Sequence, residues 1–339
     1  MIKEAIGSLV SGNSLTMEEA SSVMEEIMDG SATQAQLGAF LVALKLKGET
    51  ADEVAGLASV MRARSSRVSL TGPVIDIVGT GGDGSNTFNI STTSAFVMAG
   101  AGLKVAKHGN RAMSSRCGSA DVLEALGVKI ELKPEQVRQC VEKAGIGFMF
   151  AQAFHPAMKY AAAPRREIGI RTVFNILGPL TNPAGAEYLV LGVPGEELGD
   201  KIAAALCRMG AKRALVVHGL NGIDELSISG RSVLWEINDG CIASARRYIC
   251  PEDVGLTSAD VGALAGGSPS QNADILRNVL SGERSARRDV VLLNAAAGIY
   301  TGGMAGSLTE AVATAETVID SGEAAGKLDQ LIAFSRDLE

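Results

Sequence analysis

Residues 76–127 read DIVGTGGDGSNTFNISTTSAFVMAGAGLKVAKHGNRAMSSRCGSADVLEALG and present one arrangement twice. A short apolar run (Val74, Ile75, Ile77, Val78) leads into a glycine- and hydroxyl-rich loop at 79–92, and a helical pattern over 92–101 follows. A second run (Leu103, Val105, Ala106) leads into a loop at 107–119 and a helical pattern at 121–126. Strand, loop, helix in tandem predicts neighbouring parallel strands of an open α/β sheet. Both loops then lie at the carboxyl ends of the strands, where ligands bind and helix N-termini converge.

Gly79, Gly81, Gly82 and Gly84 let the backbone approach closely and turn its N–H groups onto an anion. Asn89, Ser91, Thr92, Ser114, Ser115 and Ser119 add neutral donors, and Lys107 and Arg111 add charged ones. Asp83 inside such a site would repel an anion unless it faced a sugar hydroxyl or a cation. The mixture points to a phosphorylated sugar held with a metal. Gly79, Gly81 and Gly84 also satisfy G-x-G-x-x-G, but the acidic residue required about twenty positions on is replaced by the stretch 104–107, KVAK. A dinucleotide site is therefore disfavoured. Glycines serving only as turn residues would explain either loop alone better than both together.

Adjacent Asp224 and Glu225 follow Asn221-Gly222, just after a strand-like run ending at His218. Two carboxylates at the carboxyl end of a strand suit Mg²⁺, which takes oxygen ligands; a solvated acidic turn is the competing reading. Arg165 and Arg166 follow Pro164 at a helix end, where arginine pairs are commonly just solvated. His218 reads as structural.

The chain is long enough for more than one domain, and 46% hydrophobic residues supply a full core. A net charge of −7 argues against non-specific nucleic-acid binding. Five scattered cysteines without a C-x-x-C pair suggest neither a disulfide framework nor a zinc site. The first residues lack the apolar centre of a signal peptide, and no apolar run reaches membrane-spanning length. A cytoplasmic, membrane-free setting is expected.

Residues 1–66 are expected to form a small helical unit, because capping boxes recur at Thr16/Glu19, Thr33/Gln36 and Thr50/Glu53, each ahead of apolar residues at helical spacing. Residues 62–73 are polar and turn-rich and form the linker. From 71 to 339, strand patterns at 128–130, 147–150, 188–193 and 214–218 alternate with helices such as 134–144. Ser229-Gly230 and Asp239-Gly240 read as hairpin turns, Ser307 with Glu310 as a further capping box, and 294–299 as a buried helical segment. The predicted fold is α/β: a small N-terminal all-helical domain plus a larger domain with a mostly parallel central sheet flanked by helices.

GTGGD at 79–83, NIST at 89–92 and KHGNRAMSSRCGSADVLEALG from Lys107 resemble the anthranilate phosphoribosyltransferases, enzymes of the class IV phosphoribosyltransferase fold. The similarity continues through HPAMKYAAAPRREIGIRTVFNILGPLTNPA from His155 and VHGLNGIDELS from Val217, and so covers essentially the whole chain. The resemblance implies transfer of a 5-phosphoribosyl group from phosphoribosyl diphosphate to the amino group of anthranilate, with inversion. It puts Mg²⁺ on Ser91, Asp224 and Glu225. It implies that the donor is held by Gly79, Gly82, Asp83, Thr87, Asn89, Ile90, Ser91, Thr92, Lys107, His108, Gly109, Asn110, Arg111, Ala112, Met113, Ser114, Ser115 and Ser119. Arg165 would bind the anthranilate carboxylate, with Asn110 and the backbone of Gly79 lining the pocket and His108 or His155 beside it. It also implies a homodimer built on the helical unit, which residues 156–182 would complete. The second loop departs from the commonest family form at Ala112, Arg116 and Cys117, where Ser, Lys and Ser are frequent. Cys117 reads either as a reactive thiol near cations or as a small filler.

No general base is evident, and none is required, because an aromatic amine is neutral at pH 7. A pyrimidine nucleoside phosphorylase, a sugar-phosphate-binding regulator and a structural subunit of a pathway complex are the rival readings. The Arg165 carboxylate site separates the first from the leading one; intact Asp224, Glu225 and Lys107 weigh against the others.

Overall fold

The computed structural model of the protein describes residues 1–112, 115–243 and 246–338. Four helices come first: α1 (Ile2–Val10), α2 (Met17–Met28), α3 (Gln34–Lys47) and α4 (Ala51–Ala63). The last three start at the expected capping boxes, and both halves of each form. Thr16 Oγ1 accepts from Glu19 N at 3.1 Å, while the Glu19 carboxylate accepts from Thr16 N at 2.8 Å. Glu53 extends the device. Fully buried, its carboxylate accepts from Thr50 N, Leu15 N and Lys47 Nζ at 2.7, 2.9 and 2.9 Å, so the α1–α2 and α3–α4 connections share one anchor. A buried carboxylate tolerates that environment only with its lone pairs so occupied. Helix α4 lies against α2 closely enough that a β-carbon on Gly56 would stand 2.3 Å from the Met17 carbonyl oxygen.

The large sheet is then laid down with its helices. The chain runs through β1 (Ile75–Gly79), α5 (Ile90–Gly100), β2 (Val105–Gly109), α6 (Ser119–Leu126), α7 (Pro134–Ala144) and β3 (Ile146–Phe150). It then leaves the sheet for α8 (Ala151–Phe154), α9 (Lys159–Ile168) and α10 (Phe174–Leu177) and returns as β4 (Tyr188–Gly192), α11 (Glu196–Arg208) and β5 (Arg213–Gly219). Strands β6 (Ser232–Asn238), β7 (Cys241–Ile242) and β8 (Arg247–Ile249) precede α12 (Pro269–Leu280), α13 (Ala286–Thr301), α14 (Leu308–Asp320) and α15 (Glu323–Asp337). The strand order is β3-β2-β1-β4-β5-β6-β7, with β8 also paired to β6. The first five are parallel and the β6 pairings antiparallel, the mostly parallel sheet that was expected.

Because the chain winds outward from β1 to β3 and then restarts on the other side of β1 with β4, the sheet has a switch point between β1 and β4. A crevice opens at the carboxyl ends of such a pair. One core, under α5, α13 and α15, covers one face of the sheet. The other packs Leu191, Val216 and Trp235 against α11 and is continuous with the interior of the four-helix unit, with Ala161, Val173 and Phe174 contributing.

Three local expectations fail. Residues 128–130 form no strand: Lys129 N bonds to Ser335 Oγ at 3.1 Å, and Val128 and Ile130 are buried singly beside α15. Only Asp239-Gly240 makes a tight hairpin turn, with φ of 47° and 72°, whereas Ser229-Gly230 ends an irregular segment. Ser307 accepts from Glu310 N, but the Glu310 carboxylate accepts from Gly306 N, so that box closes one residue early. The Asn294 segment lies inside buried α13, as expected.

Candidate functional site

At the β1/β4 switch point, Gly79 and Gly192 are register partners at the last step of the ladder. The chain bearing Asp224 and Glu225 crosses directly over both. Asp224 Oδ2 accepts from Gly81 N at 2.6 Å, made reachable by the left-handed backbone of Gly81, Gly82 and Gly84. Carboxylate oxygens of Asp83, Asp224 and Glu225 lie within 4.8 Å of one another. Asp83 Oδ2 and Glu225 Oε2 are buried without a hydrogen-bond partner among the described residues. Burial, then the Asp83 charge, pushes the Asp224 carboxyl up to about 6. Burial and both neighbouring acids hold Glu225 well above the usual carboxylate range. Three carboxylates this close, with unused lone pairs, have the geometry and charge to hold a cation.

Lys107, in the middle of β2, is buried beside them and donates to the Ile77 carbonyl at 2.6 Å, with Ser91 Oγ at 3.5 Å. Burial lowers its ammonium below the ordinary range, and the charges of Asp76 and Glu225 oppose that. Thus Gly79, Asp83, Ser91, Lys107, Asp224 and Glu225 share one cluster. Asp83 joins the two acids expected as metal ligands, while Ser91 reaches it through Lys107. Thr92 Oγ1, in the first turn of α5 beside Ser91, is buried and without a partner among the described residues.

Several expected donor-site residues have other work in this conformation. Arg111 does not turn its guanidinium into the loop; Asp121 at 3.1 Å and Glu124 at 2.8 Å hold it. The Asp121 carboxylate also accepts from Ala112 N and Gly118 N and so clamps the second loop to the start of α6. Asn89 ties the loops together, donating to the Cys117 carbonyl and accepting from Asn272 Nδ2. Ile90 is a core side chain whose N–H bonds to the Phe88 carbonyl, and Thr87 bridges to Ala265. Gly109 packs against Ser119, whose hydroxyl donates to the Asn110 carbonyl at 3.3 Å. Ser115 is exposed, and Gly82 carries Arg171 above it. Met113 and Ser114 lie outside the described residues. Cys117 is buried, and burial drives its thiol up to about 11, which favours the filler over the reactive thiol.

The two histidines expected near the acceptor do meet, with ring centroids 5.0 Å apart. His108 Nδ1 contacts the Gly178 carbonyl at 3.2 Å, and the Nε2 atoms of both rings are buried without partners among the described residues. Burial, helped by the facing His155, pushes His108 down to about 3, and burial takes His155 to about 4. Both rings are neutral. Arg165, in the last turn of α9, stacks on Phe174 with its guanidinium carbon 5.0 Å from the ring centroid. Among the described residues no carboxylate pairs with it, so its charge is free for a ligand.

Sequence reasoning missed Arg171, Asp76 and Asn182. Arg171 reaches ninety positions back to donate to the Gly81 carbonyl at 2.9 Å and lies where a Gly82 side chain would be. Asp76, wholly buried beneath the second loop, accepts from His108 N and from Asn182 Nδ2 at 2.7 Å. Their one signal was chemical: an acid inside an apolar strand run, and an arginine closing the segment that follows Arg165.

Residues 3–65 match the model of the glycosyl transferase family helical bundle domain, and residues 71–325 that family's a/b domain. An anthranilate phosphoribosyltransferase of Dehalococcoides mccartyi is 61% identical over 338 residues, covering 100% of this chain and 99% of the relative. The crystal structure of the enzyme of that name from Thermus thermophilus superposes with a TM-score of 0.93 at 47% identity, covering 98% of this chain and 99% of that one. That from Saccharomyces cerevisiae, in complex with PRPP and Mg, gives 0.91 at 30% identity, covering 99% and 98%. On matches that run the length of both domains and of each relative, the chain belongs to the anthranilate phosphoribosyltransferase family.

Proposed function

We propose that the β1/β4 crevice transfers the 5-phosphoribosyl group of phosphoribosyl diphosphate to the amino group of anthranilate, giving N-(5-phosphoribosyl)anthranilate and diphosphate for tryptophan biosynthesis. The observation that carries this reading is the juxtaposition of three crowded carboxylates with buried Lys107 and a left-handed glycine loop. Such a set suits a diphosphate and its counter-cation and little else.

Asp224, Glu225 and Ser91 would hold Mg²⁺, with Asp83 beside them, and the bound ion would offset charge developing on the departing diphosphate. Lys107 and the loop amides would hold the phosphate oxygens from the other side. The amine lone pair forms the new bond to the anomeric carbon as the bond to diphosphate breaks, the diphosphate leaving with the electron pair and the nitrogen losing a proton to solvent. Burial holds the His108 and His155 rings neutral at pH 7. They shape the acceptor pocket with Asn110, Gly79 and Arg165, whose planar guanidinium suits a carboxylate. Catalysis is thus alignment and charge stabilisation, with no general base.

The proposal extends to organisation. Residues 1–66, completed by 156–182, form the helical domain, and 71–339 the donor-binding domain. Exposed Val10, Leu46 and Ile170, each more than half accessible, support pairing of two copies through the helical domain. No helix among the described residues is long and apolar enough to cross a membrane, and a cytoplasmic location would keep the cysteines reduced. The test is the loss of anthranilate fluorescence on mixing with phosphoribosyl diphosphate and Mg²⁺. Turnover that stops when either is omitted is expected; no turnover with all present overturns the reading.

A further inference from the structure

A cavity of about 500 Å³ opens at the end of the sheet opposite the substrate loops. It is walled by the end of α4, the linker at Arg67, the segment leading into β4 and the turn between α11 and β5. Strands of five residues separate it from the loops by about 15 Å. Its charged lining is Arg62, Arg67, Glu187 and Lys212. Glu187 and Lys212 neutralise one another across 2.9 Å. Arg62 and Arg67 have no carboxylate or carbonyl partner among the described residues, although their neighbour Arg64 is paired with both Glu25 and Asp29.

Two unpaired guanidinia in one cavity repel each other. Half-buried Arg62 is held below its usual range first by burial and then by the Arg67 charge. The carbonyl ends of the two helices do not compensate, since they are already bonded within the chain: Arg64 N to Val60 O, Met209 N to Ala205 O and Ala211 N to Leu206 O. What the cavity lacks is negative charge brought from outside, shaped to accept from two planar forks.

We propose that this cavity is a second anion site, taking a phosphate or carboxylate group between Arg62 and Arg67. Ser59 adds a hydroxyl, and Met209 and Leu206 give the remainder of a small molecule an apolar wall. The site straddles the join between α4 and the sheet, so its ligand ties the helical unit to the β4 side of the sheet.

Titration calorimetry of the whole enzyme with inorganic phosphate, at ionic strength matched with chloride, tests this, with citrate as the carboxylate arm. Wild type should show two classes of phosphate site, one in the substrate loops and one here. Arg67→Gln should weaken one class by roughly tenfold or more, and Arg62→Gln/Arg67→Gln should abolish it, with kcat and both KM values unchanged in the absence of added anion. Arg67 is exposed, so its single variant reports even where the double variant folds poorly. Tighter phosphate than citrate identifies a phosphorylated ligand; the reverse identifies a carboxylate. An isotherm with a single class of site, unaltered in Arg67→Gln, assigns all anion binding to the substrate loops and overturns the proposal.

Discussion

The carbonyl oxygen of Asp224 occupies the space where Gly192 would carry a β-carbon, 1.5 Å from the position that carbon would take. Across the ladder, Gly79 meets the same residue through its carboxylate, at 2.2 Å. The two glycines cut a notch in the rim of the sheet, and the acidic turn lies in it.

The notch makes the two positions unequal. Gly192→Ala collides with backbone and should destabilise by about 1–3 kcal/mol or more, as overpacking does. Gly79→Ala meets a side chain that can rotate away, so it should cost less stability but loosen the Asp224–Gly81 bond. Urea unfolding of both variants checks the order; equal losses would contradict it.

The crowded carboxylates of Asp83, Asp224 and Glu225 repel one another. Asp224→Asn/Glu225→Gln should therefore melt higher than wild type in EDTA, lose the stabilisation by Mg²⁺ seen in wild type, and have kcat lowered by at least ~10²-fold. Melting curves with EDTA and with Mg²⁺, beside turnover, give all three readings. Full activity of the double variant at low Mg²⁺ would remove these residues from the metal site.

Arg165 and Arg171 share a segment but serve different partners. If Arg165 binds the acceptor carboxylate as proposed, Arg165→Ala removes a charge-assisted contact worth roughly 1.5–3 kcal/mol, so kcat/KM for anthranilate should drop roughly 10- to 150-fold with little change in KM for the phosphoribosyl donor. Arg165→Lys should rescue partly. Arg171→Ala should instead raise KM for the donor, because Arg171 rests on Gly81 and Gly82. Steady-state kinetics with each substrate varied would expose a reversed pattern.

His155 supplies a pH dependence. Its folded value, about 4, lies below the ordinary 6.5, so the unfolded chain takes up the proton first as pH falls. Stability is complete above pH 6.5 and is lost on acidification until about pH 4. Relative to His155→Gln, wild type should lose about 1.4 kcal/mol per pH unit in that window, about 3 kcal/mol in all. Urea midpoints for both proteins at several pH values measure it; parallel curves would mean that the ring is already solvated.

What was legible in the sequence is what neighbours decide. The capping boxes, the glycine loops and the strand–helix alternation depend on residues a few positions apart, and Thr16, Thr33 and Thr50 start their helices where the pattern puts them. Asp121 was opaque because an acid in a first helical turn looks like ordinary capping, whereas here it clamps Arg111 and two amides of the loop before it. Val128 and Ile130 have strand composition, yet the backbone between them, at Lys129, bonds to Ser335 on α15, about two hundred positions away. Separation along the chain also hid Gly192 and Arg171, whose roles exist only once β4 lies beside β1 and the 156–182 segment returns over the loops.

The shared core of the first four helices sets a timetable for synthesis on the ribosome. The interior that α1–α4 bury is closed by Ala161 and Phe174 and, further on, by α11, which packs on α4. At about 5–20 residues per second, the bundle waits roughly 7 to 30 s after Ala63 emerges before its last wall exists. The first fifth of this protein to be made is finished only after α11 has followed it, and during that interval its apolar helix faces are open to chaperones or to another nascent copy.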